Sequence, residues 1–389
     1  MSPSRLSSEM KVAVAAAEAS GDTLGAGLVE ALRELAPGAK FAGVAGPKMI
    51  AAGCEPWNRV EEISVMGLAE VLPHLPRLLR LRRNLIARIT QNRPDVFVGI
   101  DSPDFNLPMA KKLKRAGIPT VQYVSPQVWA WRQSRVKSIR ASVDLVLCVL
   151  PFETAFYEEH GVSAKFIGHP LADAIPLDVD RRAAREALGL PLDRPLVALL
   201  PGSRRSEVGS LAAPFLGTGA WLERALPGLE VAVALASEGV GAVFRDAVRG
   251  TATLKPPHLI VGRAREVIAA ADAVLTASGT ASLETLLLKR PMVVAHRIAP
   301  LTYWIVRRLG VAKLPYFSLP NLLAGRGVVQ EFVQDQVRPE ILGPALLPLL
   351  AGQDLGRGWY DAFTTIHRQL RCDASRAAAR EVLELVRGR

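Results

Sequence analysis

The chain has 389 residues and a formal net charge of +11 at pH 7, and at roughly 100–200 residues per domain that length favours two domains. With 49% apolar and 22% charged residues, its composition is that of a packed globular protein, which excludes wholesale disorder. Its three cysteines, Cys54, Cys148 and Cys372, form no CxxC pair, so neither a disulfide scaffold nor a structural zinc site is indicated and a reducing cytoplasm fits.

No window approaches the ~18 consecutive apolar residues of a spanning helix. The apolar run 12–17 meets Glu18 and Asp22 too soon to be a secretory signal. The basic excess draws the molecule toward something acidic, whether nucleic acid, anionic lipid or a phosphorylated substrate.

Along the chain, apolar runs ending in Gly, Ser, Pro or Asp alternate with helical patterns, as in βαβ units on a parallel sheet. The first strand, 11–17, enters the turn Glu18-Ala19-Ser20-Gly21-Asp22 and then a helix with Leu24, Leu28, Leu32 and Leu35 on one face. This turn is neither GxGxxG nor a Walker A loop, which weakens dehydrogenase and NTPase readings. Its small residues let backbone amides approach an anion, although Ser20 or Asp22 acting as a plain helix cap accounts for it equally well.

From 66 to 89, Leu68, Val71, Leu72, Leu75, Leu78, Leu79 and Leu85 accompany Arg77, Arg80, Arg82, Arg83 and Arg88. That combination makes an interfacial anchor, or else an ordinary core helix with a solvated face, and Pro73 and Pro76 are expected to break any single helix there. The strand 95–100 runs into Gly99-Ile100-Asp101-Ser102-Pro103-Asp104-Phe105-Asn106. A carboxylate at such a strand end is a candidate general base, with Asp101 better placed than Asp104; Asp104 and Asn106 read as turn formers or as the N-cap of a helix starting near Leu107.

After the strand 120–124, Ser125, Trp129, Trp131 and Arg132 suit contact with a sugar face or an acyl chain, the alternative being that the tryptophans are core. A further strand, 145–150, precedes a Pro-rich interdomain linker at 168–195. Within it Asp178-Val179-Asp180 resembles an acidic metal motif but reads as the cap of a helix starting at Arg181.

A second series of strands follows at 196–200, 231–236, 273–276 and 292–295. After the first of these, Gly202-Ser203-Arg204 suits a diphosphate, since Arg offers fixed donors and a permanent charge; a solvated surface pair is the alternative. After the third, Ser278-Gly279-Thr280 offers backbone amides to phosphate, and Glu284 could accept from ribose hydroxyls. Glu284 lies four residues beyond Thr280, one too many for a capping box. The six histidines are scattered without an HExxH and read as structural.

These elements predict an α/β protein of two Rossmann-like domains facing each other across a cleft. The expected boundaries are 1–175, 176–345 and a set of C-terminal helices at 346–389, whose return to the first domain is left open. Ligands should gather beyond the carboxyl ends of the strands.

Taken together, EASGD at 18–22, GPKM at 46–49, SVMGLAEVLPHLPRL at 64–78, GIDSPDFN at 99–106, YVSPQVWAWR at 123–132, GHPLAD at 168–173, LPGSRRSEV at 200–208, ASGTASLE at 277–284, PLTYW at 300–304, and SLPNLLAG with VVQEF at 318–332 resemble the lipid-A-disaccharide synthases of Gram-negative bacteria. The resemblance implies a GT-B fold and inverting transfer of 2,3-diacylglucosamine from UDP to 2,3-diacylglucosamine 1-phosphate (lipid X), without metal or cofactor. It implies Asp101 as general base. Ser203, Arg204, Ser278, Gly279, Thr280 and Glu284 would hold UDP, with Asn321, Gln330 and Glu331 as further donor contacts. Glu18, Ser20 and Gly21 would line the cleft from the first domain, and Trp129 and Arg132 would face the acceptor.

It further implies a peripheral position on the cytoplasmic face of the inner membrane, on anionic lipid, and leaves the oligomeric state open. Ala17 and Ala45 stand where the family usually has glycine, which would be costly if either site required a positive φ. Another GT-B enzyme using UDP-N-acetylglucosamine, or an epimerase, would share the UDP elements. A nucleic-acid binder is disfavoured, because aromatics are only 6% and the Arg-rich segment is rich in leucine.

Overall fold

The structure, a computed structural model, describes residues 10–64, 71–131, 133–251, 253–298, 315–353 and 358–388. Leu68, Arg132 and the motif at 300–304 lie outside the described residues, as do the side chains at 71–75 and of Trp131. The chain forms two compact units, Met1–Asp173 with Leu370–Arg389, and Ala174–Gln369.

The first unit is built on seven parallel strands: β1 (Lys11–Ala16), β2 (Lys40–Ala45), β3 (Cys54–Arg59), β4 (Val96–Ile100), β5 (Thr120–Tyr123), β6 (Leu145–Cys148) and β7 (Ala164–Phe166). Their spatial order is β3-β2-β1-β4-β5-β6-β7. Val12, Val14, Val96, Phe97, Val98, Val121 and Leu147 are buried, as expected of strands covered by helices on both faces. The chain winds one way from β1 and the other way from β4, so a topological switch point lies between them, with Ala16 paired to Ile100 at the carboxyl edge.

The second unit carries six parallel strands: β8 (Leu196–Leu200), β9 (Glu230–Leu235), β10 (His258–Val261), β11 (Ala273–Ala277), β12 (Met292–His296) and β13 (Gln330–Val333), in the order β10-β9-β8-β11-β12-β13. Its switch point falls between β8 and β11. The helices 205–225 and 339–350 cover one face, with Leu199, Phe215, Leu222, Val233, Leu275 and Leu346 at the centre of the core. They approach closely because Gly343 carries no side chain: a Cβ there would stand 2.2 Å from the Trp221 ring.

Two expectations are corrected, and one question left open is answered. Val71–Asn92 is one helix. Pro73 sits in its first turn, where no N–H is needed, and Pro76, one turn further in, is absorbed inside the helix. The charged helix assigned to a linker is integral to the second unit. Within Arg181–Leu188, Arg185 is buried; its guanidinium donates to the Asp272 carboxylate (2.7 Å) and to the carbonyls of Ala270 (2.9 Å) and Leu192 (2.8 Å), while Arg181 pairs with the other Asp272 oxygen. Asp180 does cap this helix, accepting from the amides of Arg182 and Ala183.

Finally, only the last helix, Ala374–Arg387, belongs to the first unit, and the helix before it crosses from the second at Leu370. Asp173 accepts from the amides of Asp373 (2.9 Å) and Ala374 (2.7 Å) at that helix's start. Gly27 and Gly168 leave room for Ser375 and Cys372 respectively.

Because Asp272 neutralises a buried guanidinium and also accepts from the Leu196 amide (2.8 Å), Asp272→Ala should destabilise the second unit by about 3 kcal/mol in urea denaturation. A loss within 0.5 kcal/mol, the range of an ordinary surface change, would show that Arg185 needs no counter-charge.

Candidate active site

At the first switch point the helix Ala19–Leu35 starts with Glu18 as N-cap and with Glu18 and Ser20 exposed. Gly21 is buried against Ala16 and the Ile100 carbonyl. Asp22 caps a different helix from the expected one. Its buried carboxylate accepts from the amides of Gly46 (2.9 Å), Lys48 (2.9 Å) and Met49 (3.0 Å), closing the start of the helix Pro47–Ala51. A Cβ on Gly46 would lie 2.5 Å from that carboxyl carbon, so the glycine is required. Neither Ala17 nor Ala45 has a positive φ, so alanine costs no backbone strain at either site.

Beside it, β4 ends in two left-handed residues, Asp101 (φ 52°) and Ser102 (φ 39°), and β5 ends in a third, Val124 (φ 74°). Such geometry is disfavoured for residues with a Cβ, above all for β-branched valine, and it concentrates at functional sites. The Asp101 backbone is held on both sides: its amide donates to the Tyr123 carbonyl (2.8 Å), and its carbonyl accepts from the side chains of Asn106 (2.9 Å) and Gln122 (3.0 Å). Its half-buried carboxylate makes no hydrogen bond or ion pair with any described residue. Asp104 is a surface partner of Arg135 (2.5 Å), in line with its structural role. Asn106 is no turn former; it lies inside the helix Pro103–Arg115, wholly buried.

The segment after β5 turns inward. Ser125 is buried and bonds the Tyr157 hydroxyl (3.1 Å). Trp129 is half-buried, packs edge-on against Phe152 (centroids 4.7 Å) and donates its indole N–H to Glu153 (3.0 Å). Glu153 is buried and accepts from the Leu150 amide as well; desolvation outweighs these hydrogen bonds and pushes its carboxyl up to about 7.

At the second switch point the expected anion slot has an internal occupant. The amides of Ser203 (3.1 Å) and Arg204 (3.3 Å) both donate to the Glu207 carboxylate, which also pairs with the Arg204 guanidinium (2.9 Å). Gly202 (φ 121°) makes room for Glu207, since a Cβ would lie 2.7 Å from its carboxylate. Arg204 itself remains largely exposed.

Following β11, Gly279 (φ 139°) opens onto free space and caps the helix Thr280–Leu287, whose first amides have no helical partner. The Ser278 amide donates to Ala295, and its hydroxyl reaches the Phe317 carbonyl (3.4 Å). Glu284 is paired with Arg265 (2.8 Å), a partner no sequence pattern announced.

The loop before β13 is braced from within. Glu331 accepts from the amides of Phe317 (3.1 Å) and Ser318 (2.9 Å), the Ser318 hydroxyl (2.5 Å) and Asn321 (2.8 Å). Asn321 is buried and receives the amides of Val328 and Val329. Both side chains thus work inside the loop, whereas Gln330 is half-buried and its side chain makes no hydrogen bond with any described residue. Burial lowers His169 to about 4, its Nδ1 accepting from the Leu171 amide. No group of three His, Cys, Asp or Glu side chains among the described residues is placed to hold a metal ion.

Two all-parallel α/β units, each with polar loops at its switch point, are the architecture of GT-B glycosyltransferases and epimerases. Solved structures share it at low identity: UDP-GlcNAc 2-epimerase from Neisseria meningitidis bound to UDP-GlcNAc (TM-score 0.62, 11% identical, 97% of this chain and 100% of that one) and Anabaena HepE in complex with UDP and glucose (TM-score 0.59, 12% identical, 96% and 99%). The family described as lipid-A-disaccharide synthetase matches residues 12–382. The lipid-A-disaccharide synthases of Shigella boydii serotype 18 and Escherichia coli O1:K1 are each 50% identical over 376 residues, 97% of this chain and 98% of theirs. The chain belongs to the lipid-A-disaccharide synthase family and is a glycosyltransferase.

The raised Glu153 gives a signed pH dependence. Its folded value lies above its unfolded one, so the folded state holds an extra proton from about pH 4.5 to 7 and stability falls by up to ~3 kcal/mol across that window. Glu153→Gln should flatten this fall in urea denaturations at successive pH values. A parallel pH curve for the variant would refute the assignment.

Proposed function

We propose that this protein joins 2,3-diacylglucosamine from its UDP donor to the 6-hydroxyl of 2,3-diacylglucosamine 1-phosphate (lipid X), releasing UDP, by a single inverting displacement. Asp101 takes the hydroxyl proton as that oxygen bonds to the donor's anomeric carbon; the bond from this carbon to the diphosphate breaks, and UDP departs with the electron pair. The observation that carries the reading is the Asp101 carboxylate, held at a switch point by a left-handed turn and left without a partner among the described residues.

The leaving diphosphate gains charge in the transition state, so the fixed donors of Arg204 and the free amides following Gly279 act most strongly there. Ser203 and Ser278 line the same two turns. Arg265 holds Glu284 for the ribose, and Gln330 is the direct donor contact of its loop. Asn321 and Glu331, spent on internal bonds, serve the donor by shaping that loop. Glu18, Ser20 and Gly21 complete the donor's surroundings, and Trp129, with Arg132, faces the acceptor. These residues complete the scheme without a metal.

Both substrates carry acyl chains and are reached at a bilayer surface. Among the described residues no helix is long and apolar enough to cross a membrane. The helix Val71–Asn92 buries Leu85 and Ile89 and exposes Arg77, Leu79, Arg80 and Arg83. This suits peripheral docking on anionic lipid at the cytoplasmic face, at about 1 kcal/mol per basic group.

Two measurements test the proposal. Purified protein given UDP-diacylglucosamine and lipid X should form the tetraacyl disaccharide 1-phosphate, and Asp101→Ala should lose ~100- to 10,000-fold in kcat. Absence of product from the wild type overturns the substrates, and a full rate in the variant overturns the base. Replacing Arg80, Arg82 and Arg83 with Ser should release the protein from anionic vesicles in sedimentation, and unchanged binding would reject the anchor.

A further inference from the structure

Two buried amide side chains converge on the backbone of Asp101, and neither belongs to the set of substrate contacts. Asn106 reaches out of the helix Pro103–Arg115, Gln122 out of the middle of β5, and both are wholly buried. Each spends its NH2 group on carbonyls around the turn. Asn106 donates to Asp101 (2.9 Å), Ile100 (3.2 Å) and Ala15 (3.2 Å), spanning the ends of β4 and β1; Gln122 donates to Asp101 (3.0 Å) and Val124 (3.3 Å), spanning β4 and β5. The three left-handed residues of these two turns, Asp101, Ser102 and Val124, are thus bonded to these two amides or lie next to residues that are.

Stability alone does not account for the pair. Asn106 Oδ1 and Gln122 Oε1 are buried with no hydrogen-bond partner among the described residues, an unfavourable arrangement that apolar side chains of the same volume would avoid. Room has also been cleared for it: a Cβ on Gly99 would stand 2.8 Å from the Asn106 Cβ and 3.3 Å from Gln122 Oε1. What the arrangement secures is the orientation of one peptide, and with it the direction in which the Asp101 side chain leaves the backbone.

We infer that Asn106 and Gln122 are positioning residues for Asp101, their amide N–H groups clamping its carbonyl so that the strained turn holds the carboxylate in one direction. The inference rests on the reading of Asp101 as the general base. Neither residue touches substrate; both act through the backbone of the group that does.

The test uses Gln122→Met and Asn106→Leu, which keep most of the volume and remove the N–H donors, each made in the full-length protein and in Asp101→Ala. In the otherwise wild-type chain, each should lower kcat by ~10- to 100-fold, with KM for the UDP-sugar changed by less than about two-fold. In the Asp101→Ala background the same substitutions should change the residual rate by less than about two-fold, because the group they aim is gone.

An unchanged kcat in folded Gln122→Met overturns the inference, and so does an equal loss in both backgrounds, which would mark a merely structural role. Gln122→Met, the closer isostere, serves if Asn106→Leu fails to fold. A full rate in Asp101→Ala alone strikes at the general-base reading instead, and so separates the two failures.

Discussion

Parallel pairing is the constraint on which the rest depends. When every strand of a sheet runs the same way, all of its carboxyl ends and the helix N-termini that follow them share one edge. Where the winding direction reverses, adjacent loops part and leave a place for a ligand. Both sheets have such a reversal, between β1 and β4 and between β8 and β11. The residues with the chemistry proposed for this family stand at those two places: Asp101 and the turn 18–21 in one unit, Arg204 and the turn 278–280 in the other.

The two edges are prepared differently. At the first, the protein holds strained backbone in place with side-chain amides, and the Asp101 carboxylate pairs with no described residue. At the second, positive groups and amides are present, but Glu207 already engages part of them. An incoming diphosphate would therefore meet an Arg204 whose position is set by its own helix, and the free amides after Gly279 would be the uncontested donors. A guanidinium oriented in advance loses less freedom on binding than one that must be ordered by the ligand.

Much of this was legible in the sequence. The eight strands expected from contiguous apolar runs are all present, because strands buried on both faces must be apolar throughout. Of the strands that escaped notice, β3, β7, β10 and β13 lie at sheet margins, whereas β2 is an inner strand whose run Lys40–Ala45 is interrupted by Gly43. β3 contains Pro56 and is largely exposed, and β13, Gln330–Val333, is only half-buried, so neither carries a continuous apolar signal. Asp101 stood out because it directly follows a buried strand, where partial burial suits a general base. Asn106, Gln122 and Glu153 did not, since a polar residue buried by tertiary packing looks in sequence like any other polar residue. Glu207 could have been found: its position three residues after Arg204 is capping-box spacing. The pairing of Arg265 with Glu284 spans nineteen positions and left no local trace.

We propose that the Asp101 carboxylate activates the acceptor while Arg204 and the amides after Gly279 restrain the diphosphate, so that bond formation and bond breaking occur on opposite faces of one carbon. The most direct test is the configuration of the new glycosidic linkage, read from the anomeric proton coupling of the purified disaccharide. An inverting displacement gives a linkage opposite in configuration to the sugar–phosphate bond of the donor. A linkage that keeps the donor's configuration would contradict it.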